Sequence, residues 1–247
     1  MTITAEQLTS ARPARKSTEP FGGAITMVLV GLAMTGIGFW RTFFSKLGQV
    51  DAVHMVHGVI MTGWLLLVIV QASLIRGRQF RVHRLIGWSS TVLFAAMVVT
   101  SWQIVALMLS GKTGIPFQFA KPFAYSDLTT LPLMIILYSA AIALRKDRHV
   151  HSRLVTATVL VAIVPAVARV FNLIWTGPVG LLFAMHPTYL FVLGMLAIAI
   201  VSDWRHRRLR WPFPFAFAWF SIVYASLFPG FGSQWFDHLA RAIAATA

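Results

Sequence analysis

The sequence predicts an all-α polytopic membrane protein: a seven-transmembrane-helix bundle with its N-terminus in the cytoplasm and its C-terminus outside. Three observations carry this prediction. Of 247 residues, 57% are apolar and 11% charged, against about 45–50% and about 25% in a soluble domain. Seven stretches approach the length of about 20 apolar residues that crosses a bilayer core. The basic residues, which bring the formal net charge to +14, crowd into alternate connections.

Residues 1–20 are polar and read as a disordered cytoplasmic arm. They carry no small-residue cleavage site, so the first span stays in place. The spans cover residues 21–40, 54–75, 85–110, 128–144, 154–175, 179–202 and 211–228. None shows the polar stripe of a soluble core helix. Prolines 132, 165, 187, 212 and 214 are tolerable because neighbouring helices satisfy freed carbonyls, and Pro187 is expected to disrupt the sixth span. The transmembrane domain ends near residue 230. Residues 231–247 place Trp235, Phe236, Leu239 and Ile243 on one side of a helical wheel, which predicts an amphipathic helix at the outer interface.

Fifteen basic residues fall on one set of loops: Arg12, Arg15 and Lys16; Arg76, Arg78, Arg81 and Arg84; Arg145, Lys146, Arg148 and Arg153; Arg205, Arg207, Arg208 and Arg210. Arg41, Lys46, Lys112, Lys121 and Arg241 fall on the other. That asymmetry is the positive-inside pattern. It assigns the net charge to membrane lipids as partners and not to nucleic acid.

Several chemistries are excluded outright. No cysteine is present, so disulfides, thiolate metal sites and Fe–S clusters are ruled out. The five lysines all lie outside the apolar spans, which leaves no buried Schiff base for retinal. Walker, Rossmann and nucleophile-elbow patterns are absent.

Ionisable groups within spans are costly and are functional candidates. Arg169 lies in the fifth span, about 9 Å below its outer end at 1.5 Å per residue, and Asn172 shares its face. The guanidinium either pairs with Asp127 or Asp51 or, with Asn172, receives the anionic group of a ligand or cofactor. His54 and His57 open the second span, and Gly58 leaves room there for a flat group or a helix. His186 lies in the outer part of the sixth. These three imidazoles are candidate metal ligands, or His57 and His186 an axial pair for haem; the alternative is hydrogen bonding at the interface. The leading expectation is metal or haem binding for redox or metal handling. The others are a permease or sensor for a small anionic or lipid-like molecule, and a structural subunit of a membrane-protein complex.

A short internal echo precedes the third and fifth spans, where His83 and His151 each stand just before Arg-Leu. These two, with His149 and His206, lie among arginines and are expected to meet headgroups.

Residues 54–88 also resemble a group of largely uncharacterised bacterial multi-spanning proteins with a His-Gly, Trp, Gln, His-Arg-x-x-Gly signature. Here the matching positions are His57, Gly58, Trp64, Gln71, His83, Arg84 and Gly87. The resemblance implies a multi-pass protein of the bacterial inner membrane.

Overall fold

The computed structural model describes residues 23–247, so the predicted N-terminal arm lies outside the described residues. Among these, the chain is helical and has no strand. The helices are α1 (Ala24–Trp40), α2 (Ala52–Arg76), α3 (Phe80–Leu109), α4 (Phe117–Ala143), α5 (Arg148–Ala162), α6 (Val164–Phe171), α7 (Gly177–Arg205), α8 (Pro212–Phe231) and α9 (Gln234–Ala244), with a 3-10 segment at Phe44–Gln49. Six stretches are long and apolar enough to cross a membrane: α2, α3, α4, α5 with α6, α7 and α8. The remaining apolar helix, α1, has 17 described residues, about 26 Å at 1.5 Å each.

Short links force neighbours in sequence to pack side by side. α2 lies mainly on α3 and α1, α4 on α5, α8 and α3, and α7 on α6 and α8. At the centre Trp64 is wedged against Phe94 and Tyr138, whose rings stack 4.1 Å apart. Several glycines set close approach, Gly38 and Gly230 among them. A Cβ on Gly38 would lie 2.2 Å from the Ala166 carbonyl oxygen, so α1 and α6 touch backbone to backbone. One on Gly230 would lie 2.3 Å from the Tyr125 ring.

Four expectations change. The fourth helix begins at Phe117, after Pro116, and holds both Pro122 and Pro132; Asp127 is therefore ten residues inside it rather than at its start. The fifth span is two helices that meet at Ile163, where Pro165 can start a helix but cannot continue one. Pro187, by contrast, sits within the continuous α7. Arg153, expected among headgroups, is only 1% exposed. Its Nε and Nη2 donate to the two Asp203 oxygens at 2.5 and 2.6 Å, and its Nη1 to the His149 carbonyl at 2.7 Å. Sequence reasoning passed over Asp203, one residue beyond the sixth predicted span, and thereby missed the ion pair that ties α5 to α7.

Within residues 231–247, Gln234–Ala244 is helical. Ser233 caps it by accepting from the Phe236 N–H. Its buried face, Phe236, Ala240 and Ile243, packs on α3 and α4, while Trp235 is exposed. Asp237 adds a polar tether, accepting from Lys121 of α4 at 2.8 Å and from Arg241 at 2.9 Å.

Candidate functional site

The polar groups that sequence singles out gather where α2 begins and α6 ends. Asp51 caps α2, accepting from the Val53 and His54 main-chain N–H groups at 3.1 Å each and meeting His54 Nδ1 at 2.6 Å. Partial burial pushes the Asp51 carboxyl up. The hydrogen bonds from His54 and Val53 and the nearby imidazole outweigh it and hold the carboxyl below its ordinary value. Asp51 is thus engaged by His54, not by Arg169.

One turn on, His57 Nδ1 lies 3.0 Å from Thr100 Oγ1 of α3. The threonine hydroxyl donates to the Ala96 carbonyl at 2.9 Å. A hydroxyl has a single proton, so Thr100 accepts from His57 and the imidazole keeps a bare Nε2. The flat group beside Gly58 is the chain's own Phe43, whose ring a Cβ there would meet at 2.3 Å.

Arg169 stands near the end of α6. Its Nη1 donates to the Pro165 carbonyl at 2.9 Å, one turn back, and its Cζ lies 4.4 Å from the centre of the Phe39 ring of α1. Of the two expected partners, Asp127 interacts with Arg169 electrostatically, yet no ion-pair contact joins them among the described residues. His57 is within electrostatic range of Arg169 as well. Asn172 follows on the next turn, and its Oδ1 is buried without a hydrogen-bond partner.

The structure therefore brings Arg169, His57 and Asp127 into one electrostatic neighbourhood, with Asn172 beside Arg169 on its helix. It gives His186 other company. That ring is exposed on α7, bonded through Nδ1 to the Tyr224 hydroxyl of α8 at 2.8 Å and stacked on Phe228 at 4.7 Å. Among the described residues, no group of three or more His, Cys, Asp or Glu is placed to hold a metal ion. The hydroxyls of Thr100 and Tyr224, which decide these ring positions, carried no sequence signal beyond their residue type.

An unpaired cation, a carboxylate held off from it and an unsatisfied amide oxygen can bind a polar solute. The architecture is that of a helical, multi-pass integral membrane protein. No family model, curated protein or solved structure matches the chain.

Proposed function

We propose that the chain is a seven-span permease or sensor of the bacterial inner membrane, N-terminus in the cytoplasm, that receives the anionic group of a small solute at Arg169. The observation that carries this reading is the state of the guanidinium. It is fixed by Phe39 and the Pro165 carbonyl, and among the described residues no carboxylate closes the pair. A cation in low dielectric is costly unless compensated, and an incoming carboxylate or phosphate compensates it with a fork of hydrogen bonds. Asn172 would orient the solute beside it, and α1, counted as the seventh span, would carry Phe39 to the site.

The metal or haem reading of His54, His57 and His186 ranks below. It asks His186 to reach His57, although α2 packs mainly on α3 and α1 and α7 mainly on α6 and α8. The experiment is thermal unfolding of the detergent-purified protein with acetate, succinate and inorganic phosphate, together with absorption spectra and elemental analysis. A rise in melting temperature with one of these anions that Arg169→Ala removes and His57→Ala keeps supports the anion site. A Soret band or stoichiometric metal lost on His57→Ala or His186→Ala reverses the ranking, and no effect of any of the three anions overturns the anion site.

A further inference from the structure

An exposed imidazole, that of His186, stands within the apolar length of α7. Its partner Tyr224 fixes the depth. α8 runs from the arginine-rich end of the bundle to the other and has 20 residues, about 30 Å, the thickness of a hydrocarbon core. Tyr224 stands seven residues before its end at Phe231, about 10 Å inside. The imidazole is therefore exposed to acyl chains, below the level of lipid headgroups. Its Nδ1 bonds the Tyr224 hydroxyl at 2.8 Å, and its Nε2 has no hydrogen-bond partner among the described residues. Hydrocarbon supplies none either, and a polar group left unpaired there costs free energy.

The ring is held from behind by a rigid stack. Tyr224 lies on Tyr189 of α7 at 5.2 Å. Tyr189 is fully buried, stacks in turn on Phe220 at 4.7 Å and meets the Ser126 hydroxyl of α4 at 2.7 Å. Phe228, one turn beyond Tyr224, lies face to face with the imidazole at 4.7 Å. Phe183 and Leu190, both exposed, flank His186 on the same face of α7 at i−3 and i+4. One polar nitrogen is thus set in an apolar, partly aromatic surface on the packed seam of α7 and α8. A tyrosine hydroxyl both donates and accepts. When Tyr224 donates to Nδ1, Nε2 carries the ring proton and can donate; when Nδ1 donates to Tyr224, Nε2 is bare and can accept.

We propose that His186 Nε2, flanked by Phe228 and Phe183, binds the ring of a membrane-dissolved quinone or its quinol. Such a molecule moves within the hydrocarbon, whereas a phospholipid offers only acyl chain at this depth. Its flat ring suits an aromatic flank. Its oxygens match both states of the imidazole, since a quinone carbonyl accepts from Nε2–H and a quinol hydroxyl donates to the bare nitrogen.

The test is equilibrium binding of a decyl-substituted benzoquinone to the full chain in phosphatidylcholine nanodiscs, with decylbenzene as the probe that lacks the carbonyls. Saturable binding of one quinone per chain is expected, and none of decylbenzene. His186→Phe keeps a ring on Phe228 and removes the hydrogen bond, so affinity should fall about tenfold. Tyr224→Phe keeps the stack but releases the imidazole and should also weaken binding; it decides the matter if His186→Phe fails to fold. Arg169→Ala should change nothing. Equal binding of decylbenzene, or quinone affinity that survives both His186→Phe and Tyr224→Phe, overturns the proposal by leaving only an apolar groove. No saturable quinone binding overturns it too, and a native dimer that Phe228→Ala dissociates would then identify a second copy of the chain as the occupant.

Discussion

Replacing Asp203 by Leu should destabilise the fold more than any other single change at the arginine-rich end. In the native chain the two Asp203 oxygens accept from Arg153 Nε and Nη2 at 2.5 and 2.6 Å, with both side chains 3% exposed or less. Hydrogen bonds to charged groups contribute about 1.5–3 kcal/mol each, so two give about 3–6 kcal/mol. That agrees with the cost of about 3–5 kcal/mol for orphaning one member of a buried ion pair. Asp203→Asn keeps one acceptor and should fall near the low end, about 3 kcal/mol. Arg153→Met with Asp203→Leu removes both charges at once and should cost markedly less than the sum of the two single changes, because neither partner is left uncompensated. The assay is reversible unfolding in mixed micelles, read as a four-member cycle. Single substitutions costing below about 1 kcal/mol, or strict additivity, would refute the argument by showing that water reaches the pair.

Gly38→Ala places a methyl 2.2 Å from the Ala166 carbonyl oxygen and must separate α1 from α6, at a cost of about 1–3 kcal/mol; unaltered unfolding would contradict the close approach. The α9 tether has a defined pH response. Lys121 and then Arg241 hold the Asp237 carboxyl below its ordinary value, so its contribution is complete above about pH 4 and is lost as pH falls through the lowered value. Trp235 fluorescence and proteolysis of the C-terminal segment should stay constant from pH 7 to 5 and change only in stronger acid. Topology can be read from a chain that has no cysteine of its own: single cysteines at Gly48 and Ser233 should label from outside intact cells, and one at Lys146 should not. Labelling of Gly48 and Ser233 from opposite sides would refute the seven-span arrangement.

Much of the candidate site was legible because charge inside an apolar span is rare enough to stand out. Arg169 and His57 announced themselves in this way, and the structure places them within electrostatic range of each other. The partners were not legible. Thr100 receives His57 and Tyr224 receives His186, and a hydroxyl that bonds across a helix interface looks in sequence like one that caps its own turn. Gly58 was recognised as a point of close approach, but its visitor is Phe43, from a segment that hydropathy treats as loop.

The amino-acid sequence alone determined the membrane-span-like helical architecture, since apolar length against bilayer thickness is a local quantity, counted along the chain. The helicity of Gln234–Ala244 is local in the same sense, whereas its buried face, Phe236, Ala240 and Ile243, is set by packing on α3 and α4. Only the tertiary structure decided which ionised groups are paired. Arg153 is one of many loop-end arginines until α7 brings Asp203 against it, and Arg169 looks paired until Asp127 and Asp51 prove to be held off or engaged elsewhere. Ion pairing and hydrogen bonding depend on ångström-scale distances between helices far apart in sequence, and hydropathy and charge counts do not contain those distances.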